Sequence, residues 1–186
     1  MEQNKTEESR LLPQYVQPRY KKSGTTQMFW GAFRYGMRSF IIPIDGDPSA
    51  RRGGVNAKMY LQLLDEYLVG YLDEDSIFMQ DNAPVHTAKI VKKWLEENVP
   101  VVLKWPPYSP DLNPIENLWK LLKERIHLKN PKLRTLGNTQ EALEELIKAA
   151  VEVWEDFAEE TLNHLIDTMP DRIEAVIRAG GWYTGY

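Results

Sequence analysis

A proline-dense segment at residues 105–114 constrains the fold of this 186-residue chain more than any other feature. Four of its ten residues are proline, so the segment can form neither a regular helix nor a regular strand. The apolar residues 99–105 before it are typical of a buried strand, and residues 114–127 after it show helical periodicity. The segment therefore predicts a stiff connection that fixes the start of a helix relative to the end of a strand.

Strand and helix patterns alternate along most of the chain. Two aromatic and β-branched runs, joined by a turn that contains glycine, are followed by helices that alternate with short apolar strands. This order is typical of a mixed α/β sheet flanked by helices, here with a helical C-terminal extension. Strands are predicted at residues 28–33, 39–44, 76–79 and 99–105, and helices at residues 56–71, 87–98, 114–127, 139–157 and 159–179.

Two carboxylates occupy prominent places in this pattern. Asp81 ends an apolar run, where a strand would stop, and Glu116 falls in the first turn of the helix that follows the prolines. A carboxylate at a strand end and one at a helix start can meet at the carboxyl edge of an α/β sheet. Two hard oxygen ligands that face one another there indicate Mg²⁺ or Mn²⁺ and phosphate chemistry.

Glu116 also has a purely structural interpretation. Asn113 is a natural N-cap, Pro114 then occupies the first helical position, and Glu116 occupies the third. This is a capping-box arrangement, in which the glutamate side chain bonds back to the N–H of the cap residue. That interpretation leaves the long proline-stiffened approach to the helix unexplained.

Asp81 and its neighbours have structural alternatives as well. An Asp after a strand often forms an Asx-turn, and Asn82 and Pro84 favour a tight turn at this place. His86 either caps the following helix or points at the site, and a lone histidine is more often structural. Asp111 is a third nearby acid, which we expect to close a turn after Pro110 rather than to bind a metal.

Charge is distributed unevenly, although the net charge is only −4. Residues 1–58 carry 10 Lys and Arg against 5 Asp and Glu, whereas residues 59–186 carry 13 against 22. Basic side chains interleaved with aromatic ones could contact phosphates and stack on bases. The alternative is an ordinary solvated surface of mixed charge. The candidate residues for nucleic-acid binding are Arg19, Lys21, Lys22, Arg51 and Arg52.

Several classes of site are excluded by composition. The chain contains no cysteine, which excludes disulfides, thiolate zinc sites and a cysteine nucleophile. No apolar run reaches the roughly 18 residues of a membrane span. The polar first ten residues carry no signal-peptide core.

Three stretches together resemble the catalytic domain of Tc1/mariner-type transposases, which belong to the DDE superfamily and have an RNase H-like fold. Residues 80–86 read Gln-Asp-Asn-Ala-Pro-Val-His, and residues 106–119 read Pro-Pro-Tyr-Ser-Pro-Asp-Leu-Asn-Pro-Ile-Glu-Asn-Leu-Trp. Residues 28–33 read Met-Phe-Trp-Gly-Ala-Phe. The resemblance spans roughly residues 7–130, and the 34 residues between Asp81 and Glu116 match the spacing of the Tc1-like branch.

The resemblance implies a site of three acids that binds two divalent metals, Mg²⁺ or Mn²⁺. Asp81 matches the second acid and Glu116 the third. The closest match to the first is Glu7, in Thr-Glu-Glu-Ser at residues 6–9, where the family has Asp. Residues 1–5 are too polar and too few for the strand expected before that acid, so we expect a truncated first central strand. Because Glu is longer than Asp and Mg²⁺ tolerates little geometric error, we expect impaired activity.

The resemblance also implies DNA as the partner, and no membrane. The helix-turn-helix module that recognises transposon ends is missing, so we expect a catalytic-domain remnant or a fragmentary gene product. A homodimer or a full-length transposase would supply the missing module. Residues 1–130 would form the RNase H-like core and residues 131–186 an acidic helical extension of the same domain. The expected location is the nucleus in a eukaryotic host and otherwise the cytoplasm.

Two other functions stay open at this point. The chain could be a catalytically inactive nucleic-acid-binding remnant, which the basic first third and the replaced first acid favour. It could instead be an interaction module that uses the acidic helices at residues 139–179 and the aromatic residues Trp154, Phe157 and Trp182. The structural alternative to the second idea is that these aromatic side chains pack the helices onto the sheet.

Overall fold

The computed structural model describes residues 25–48, 54–107, 109–182 and 184–186. Within these ranges the strands form three separate two-stranded sheets. Strand β1 (Met28–Trp30) pairs antiparallel with β4 (Ile42–Ile44). Between them, β2 (Phe33–Arg34) and β3 (Met37–Arg38) form a hairpin whose turn contains Gly36 at φ 69°. The two predicted strands at residues 28–33 and 39–44 are therefore present, with a second small hairpin between them.

The remaining strands form a short parallel pair. Strand β5 (Ile77–Phe78) runs beside β6 (Val101–Val102), and the N–H of Leu103 continues the pairing by donating to the carbonyl of Phe78 at 2.9 Å. The prediction of buried strands here is correct in position but wrong in burial, since Ile77 is 63% exposed and Val101 50% exposed. Among the described residues no third strand pairs with either one, so the pair lacks the cover of a wider sheet.

Six α-helices fall within the described ranges, most of them close to the predicted bounds. Helix α1 (Ala57–Leu63) begins at Asn56, whose side-chain oxygen accepts from the N–H groups of Lys58 and Met59, as a cap should. One wider turn and one tighter turn extend it to Tyr71. The other five helices are α2 (Lys89–Asn98), α3 (Pro114–Lys129), α4 (Gln140–Glu155), α5 (Glu159–Asp167) and α6 (Met169–Arg178).

The predicted single helix at residues 159–179 is wrong, because two helices meet at Thr168. Pro170 lies in the first turn of α6, where its missing N–H costs nothing but where it cannot continue the hydrogen bonding of α5. None of the described helices is long and apolar enough to cross a membrane.

Two hydrophobic cores support the described part of the molecule. The α1–α2 core contains Trp30, Tyr60, Leu63, Leu64, Leu68, Val91, Leu95 and Val99. The α3–α4 core contains Ile41, Leu118, Leu122, Ile126, Leu133, Ala149, Ala150, Val153, Trp154, Phe157, Leu162 and Leu165. The second core draws on both sides of residue 130, and the predicted division of the domain there stays a prediction.

A close contact joins the first strands to the α3–α4 core. The indole rings of Trp119 and Trp154 stack with centroids 5.3 Å apart, and Trp154 Nε1 donates to the carbonyl of Ser39 at 2.7 Å. A Cβ at Gly31 would lie 3.0 Å from the Trp154 ring and 3.2 Å from the Trp119 ring, so glycine is needed for this approach. Trp154 and Phe157 are almost fully buried here, which confirms the packing interpretation for both, whereas Trp182 is 46% exposed.

Candidate active site

A cavity of about 370 Å³ lies where the loop after β5 meets the proline-dense segment. The structure therefore brings Asp81 and Glu116 to one cavity. Asn82 joins its two sides, since its Nδ2 donates to the carbonyl of Trp105 at 2.9 Å. The lining residues among those described are Asp81, Asn82, Ala83, Trp105, Pro106, Pro107, Ser109, Pro110, Asn113 and Glu116.

Asp81 is held by two hydrogen bonds to the same carboxylate oxygen. The N–H of Ala83 donates to Oδ1 at 3.0 Å, which is the predicted Asx-turn, and His86 Nδ1 lies 2.6 Å from Oδ1. A carboxylate oxygen only accepts, so Nδ1 of His86 carries the hydrogen in this pair. Oδ2 accepts no hydrogen bond from the described residues. Asp81 therefore has a fixed orientation and one oxygen left for a ligand.

His86 is itself held by a buried tyrosine. The His86 and Tyr60 rings lie 4.4 Å apart at 37°, and the Tyr60 hydroxyl donates to Gln80 Oε1 at 2.6 Å. Burial, together with the negative charge of Asp81, raises the pKa of the Tyr60 hydroxyl above its ordinary value, so it stays a donor. Of the two roles considered for His86, the structure supports the one directed at the site, because the N-cap of α2 is Ala88.

Glu116 does not form the capping box that its local sequence permits. The N–H of Asn113 donates to the carbonyl of Pro110 at 2.8 Å instead of to the glutamate side chain. Asn113 in turn makes no side-chain cap bond to α3, although it is the cap residue. The Glu116 carboxylate is exposed and accepts no hydrogen bond from the described residues. It is therefore available to a ligand in the cavity.

The two carboxylates fit a divalent cation as a partial ligand set. Each offers oxygen that no described side chain engages, and carboxylate oxygen is the ligand that Mg²⁺ and Mn²⁺ prefer. Within the described ranges, however, no three His, Asp or Glu side chains are grouped to hold a metal. The predicted first acid, Glu7, lies outside those ranges.

The predicted nucleic-acid-binding residues Arg19, Lys21, Lys22, Arg51 and Arg52 also lie outside the described ranges. Two other basic residues of the first third are engaged by the protein itself. Arg34 forms an ion pair with Asp73, and Arg38 donates to the carbonyls of Glu155 and Phe157 at the end of α4. A hydrogen bond from Ser76, followed by one from Arg34, lowers the pKa of the Asp73 carboxyl.

The sequence did not predict which residues bind the proline-dense segment outside the cavity lining. Asp111 lies in the short turn Pro110–Leu112, close to where a turn was expected, but its carboxylate accepts from Thr184 and its carbonyl from Arg172. These partners are 73 and 61 residues away along the chain. No local pattern in the sequence connects them.

The chain is similar to known proteins in both sequence and fold. Residues 19–139 match the DDE superfamily endonuclease family. The chain is 31% identical over 178 residues to the Tc1 transposase of Caenorhabditis elegans, covering 96% of this chain and 61% of that protein. It is 30% identical over 159 residues to the Tc3 transposase of the same organism, covering 85% of this chain and 45% of that protein. The chain thus spans about half to three fifths of these relatives.

Solved structures show the same fold. The Mos1 strand transfer complex aligns with a TM-score of 0.66 at 25% identity, over 90% of this chain and 47% of that one. The Mos1 transposase catalytic domain with Raltegravir and Mg aligns with a TM-score of 0.59 at 22% identity, over 85% and 77%. A corresponding structure was solved with Mn. The likeness confirms the predicted RNase H-like α/β fold.

Proposed function

Because the chain belongs to the DDE superfamily endonucleases, in the Tc1/mariner branch, we propose that it carries the catalytic site for DNA cleavage and strand transfer in transposition. The observation that carries the proposal is that Asp81 and Glu116 line one cavity, each with carboxylate oxygen that the described residues leave unengaged. The DNA acted upon would be transposon ends and target DNA, by analogy with the transposase relatives.

We propose that Asp81 and Glu116 are ligands of Mg²⁺ or Mn²⁺, with Glu7 as a third. Bound there, such ions would activate water or a 3′-hydroxyl for in-line attack at phosphorus and stabilise the leaving oxygen. The protein's own contribution is to orient the carboxylates. His86 and the N–H of Ala83 hold one oxygen of Asp81, and the proline-dense segment determines where α3 begins and hence where Glu116 lies.

Residues outside the described ranges, together with a protein partner, would complete the site. Arg19, Lys21, Lys22, Arg51 and Arg52 would contact the DNA backbone, and Glu7 would complete the metal site. A second copy of the chain or a full-length transposase would be its protein partner. Acting on chromosomal DNA, the protein would work in the nucleus of a eukaryotic host.

A plasmid-nicking assay with Mn²⁺ tests the proposal, because it needs no recognition of a particular DNA sequence. Wild type, Asp81→Asn and Glu116→Gln are compared, each at increasing protein concentration. We expect wild type to convert supercoiled plasmid to open circles, and each variant to lose on the order of 10²-fold or more of the rate. Glu124→Gln is the matched control, since it removes an exposed carboxylate from the same helix away from the cavity.

Different outcomes identify different errors. Nicking that survives Asp81→Asn at the wild-type rate would show that the site is elsewhere. Absence of nicking in the wild type, combined with salt-dependent DNA binding, would favour the inactive nucleic-acid-binding remnant instead. Equal losses in Glu124→Gln and Glu116→Gln would indicate a general effect of charge rather than a metal ligand.

A further inference from the structure

We infer that Arg172 is a positioning residue for the active site, and that with residues 184–186 it holds the turn from which Glu116 is presented to the cavity. This inference rests on the proposed function, because it concerns how one of the two carboxylates is oriented. Its evidence is separate, since it comes from the side of the turn that faces away from the cavity.

The burial of Arg172 is the first observation. Its side chain is only 1% exposed, and it is the one charged residue among the buried polar side chains of the described ranges. Burial lowers the pKa of its guanidinium, and the negative charge of Asp111 acts in the opposite direction by favouring the charged form. Burying a charge is costly unless its hydrogen bonds are satisfied, so the contacts of this residue need an explanation.

Those contacts converge on the turn before Glu116. Arg172 Nη1 donates to the carbonyl of Asp111 at 2.9 Å, and Nε donates to Thr168 Oγ1 at 2.8 Å, which fixes the plane of the guanidinium. The ring of Tyr186 covers the group, with its centroid 4.8 Å from Cζ. The arginine thus joins α6 and the end of the described chain to one backbone carbonyl of the turn Pro110–Leu112.

Thr184, in the segment after α6, also binds Asp111, through the aspartate side chain. The N–H of Thr184 donates to Asp111 Oδ2 at 2.5 Å, and the Thr184 hydroxyl donates to the same oxygen at 3.0 Å. Asp111 is therefore bound through both its main chain and its side chain. Both partners come from residues far along the chain, and both lie outside the cavity lining.

Two main-chain hydrogen bonds connect the anchored turn to Glu116. The N–H of Asn113 donates to the carbonyl of Pro110 at 2.8 Å, and the N–H of Glu116 donates to the carbonyl of Asn113 at 3.1 Å. Ser109, Pro110 and Asn113 line the cavity on the inner side of the same turn. Because no side chain among the described residues holds the Glu116 carboxylate, its position depends on its backbone, and the backbone depends on Asp111.

Amide hydrogen exchange measures this dependence directly. In Arg172→Met, which keeps length but loses the donors, we expect the amides of Asn113 and Glu116 to exchange at least tenfold faster than in wild type. The amide of Val153, in the middle of α4, should stay within about twofold. Arg172→Lys should restore part of the protection, since lysine keeps the charge but lacks the planar pair of donors.

Metal affinity provides the second readout. Calorimetric titration of Mn²⁺ should give a Kd roughly tenfold weaker in Arg172→Met, as is usual when a residue that orients a ligand is lost. Arg178→Ala is the matched control, because this arginine lies on the same helix but is exposed and, within the described ranges, forms an ion pair with Glu174 at 3.6 Å. It should leave both readouts unchanged.

Several results would overturn the inference. One is wild-type exchange at Asn113 and Glu116 in Arg172→Met. Another is equal acceleration at Val153, which would indicate a general structural role. A third is faster exchange with an unchanged Kd. If wild type binds no Mn²⁺, the proposed function fails, and the two amides alone then decide the role of Arg172.

A milder variant covers the case in which Arg172→Met does not fold. Thr184→Val removes one hydrogen bond to Asp111 and keeps the main-chain one. Exchange roughly threefold faster at Asn113 and Glu116 would support the inference, given the usual net worth of one hydrogen bond. Unchanged exchange in this folded variant would overturn it.

Discussion

Asp81 and Glu116 line one cavity but are held in opposite ways. Asp81 follows a short strand pair with exposed side chains, and its orientation comes from hydrogen bonds to its own carboxylate. Glu116 lies on a helix that packs into the larger core, and its carboxylate has no such bonds among the described residues. One carboxylate is therefore fixed by a polar network around its side chain, and the other by the packing and anchoring of its backbone.

The two kinds of support predict different effects of substitution on ligand affinity and on stability. On the Asp81 side, a polar substitution should change ligand affinity while leaving the stability of the fold nearly intact. On the Glu116 side, affinity and stability should change together, since the same helix supplies the carboxylate and the core residues Leu118 and Leu122. Single substitutions on each side can test whether ligand affinity and stability separate in this way.

The largest effect is expected from Trp154→Ala, on the Glu116 side. This side chain is 1% exposed, stacks on Trp119 and binds the carbonyl of Ser39. Its removal should lower the free energy of unfolding by about 3–5 kcal/mol, as for other buried aromatic residues. Urea denaturation followed by circular dichroism measures the change. A loss below about 1 kcal/mol would show that the α3–α4 core does not depend on this contact.

His86→Ala, on the Asp81 side, should separate affinity from stability. It removes one of the two bonds to Asp81 Oδ1, so the Kd for Mn²⁺ should weaken roughly 10- to 100-fold. The urea midpoint should move less than in Trp154→Ala, because His86 is only partly buried and lies outside both hydrophobic cores. His86→Asn should recover part of the affinity, since its amide can donate from a similar place. Equal loss of affinity in Lys89→Ala, an exposed neighbour, would contradict this account.

Asn82→Ala tests the connection between the two sides. It removes the hydrogen bond to the carbonyl of Trp105, which spans the cavity wall. We expect a loss of about 0.5–1.5 kcal/mol in the free energy of unfolding, the usual net value of one such bond. Thermal and urea unfolding measure it. A loss as large as that of Trp154→Ala would show that the Asp81 side and the Glu116 side do not have independent support.

The smallest effect is expected from Asp73→Asn, which removes the ion-pair partner of Arg34 in the β2–β3 hairpin. The pKa of Asp73 is lowered by Ser76 and Arg34, so the ionised form is favoured in the folded protein. Its contribution to stability is present above the unfolded carboxyl pKa of about 3.9 and is lost as pH falls through the lower folded value. The variant should therefore show a slightly smaller loss of stability between pH 6 and pH 3. Because the group is exposed, the difference should be small.

The sequence predicted the parts of the site that depend on local pattern. Asp81 at a strand end, the Asx-turn after it and the helix that begins at Pro114 all follow from residues within a few positions of one another. The order of strands and helices follows from hydrophobic periodicity, which reports the exposure of each face. Local pattern is therefore enough to predict that both carboxylates lie at the same edge of the sheet.

Features that depend on distant residues could not be predicted in this way. No local pattern distinguishes Arg172 in the sequence, yet it is buried against a turn 61 residues earlier. The capping box failed because Asn113 found a main-chain acceptor in Pro110, a competition that local sequence cannot decide. The exposure of Ile77 and Val101 likewise depends on which other strands lie beside them, not on their own apolar character.

The bond between Thr184 and Asp111 has a consequence for protein synthesis. Thr184 lies 73 positions after Asp111, so the ribosome adds it about 4–15 s later at usual elongation rates. Both carboxylates of the cavity exist well before the segment that anchors the turn beside Glu116. A growing chain would therefore carry both acids before the anchor is made, so that the proposed nuclease activity would begin only after translation has passed Thr184.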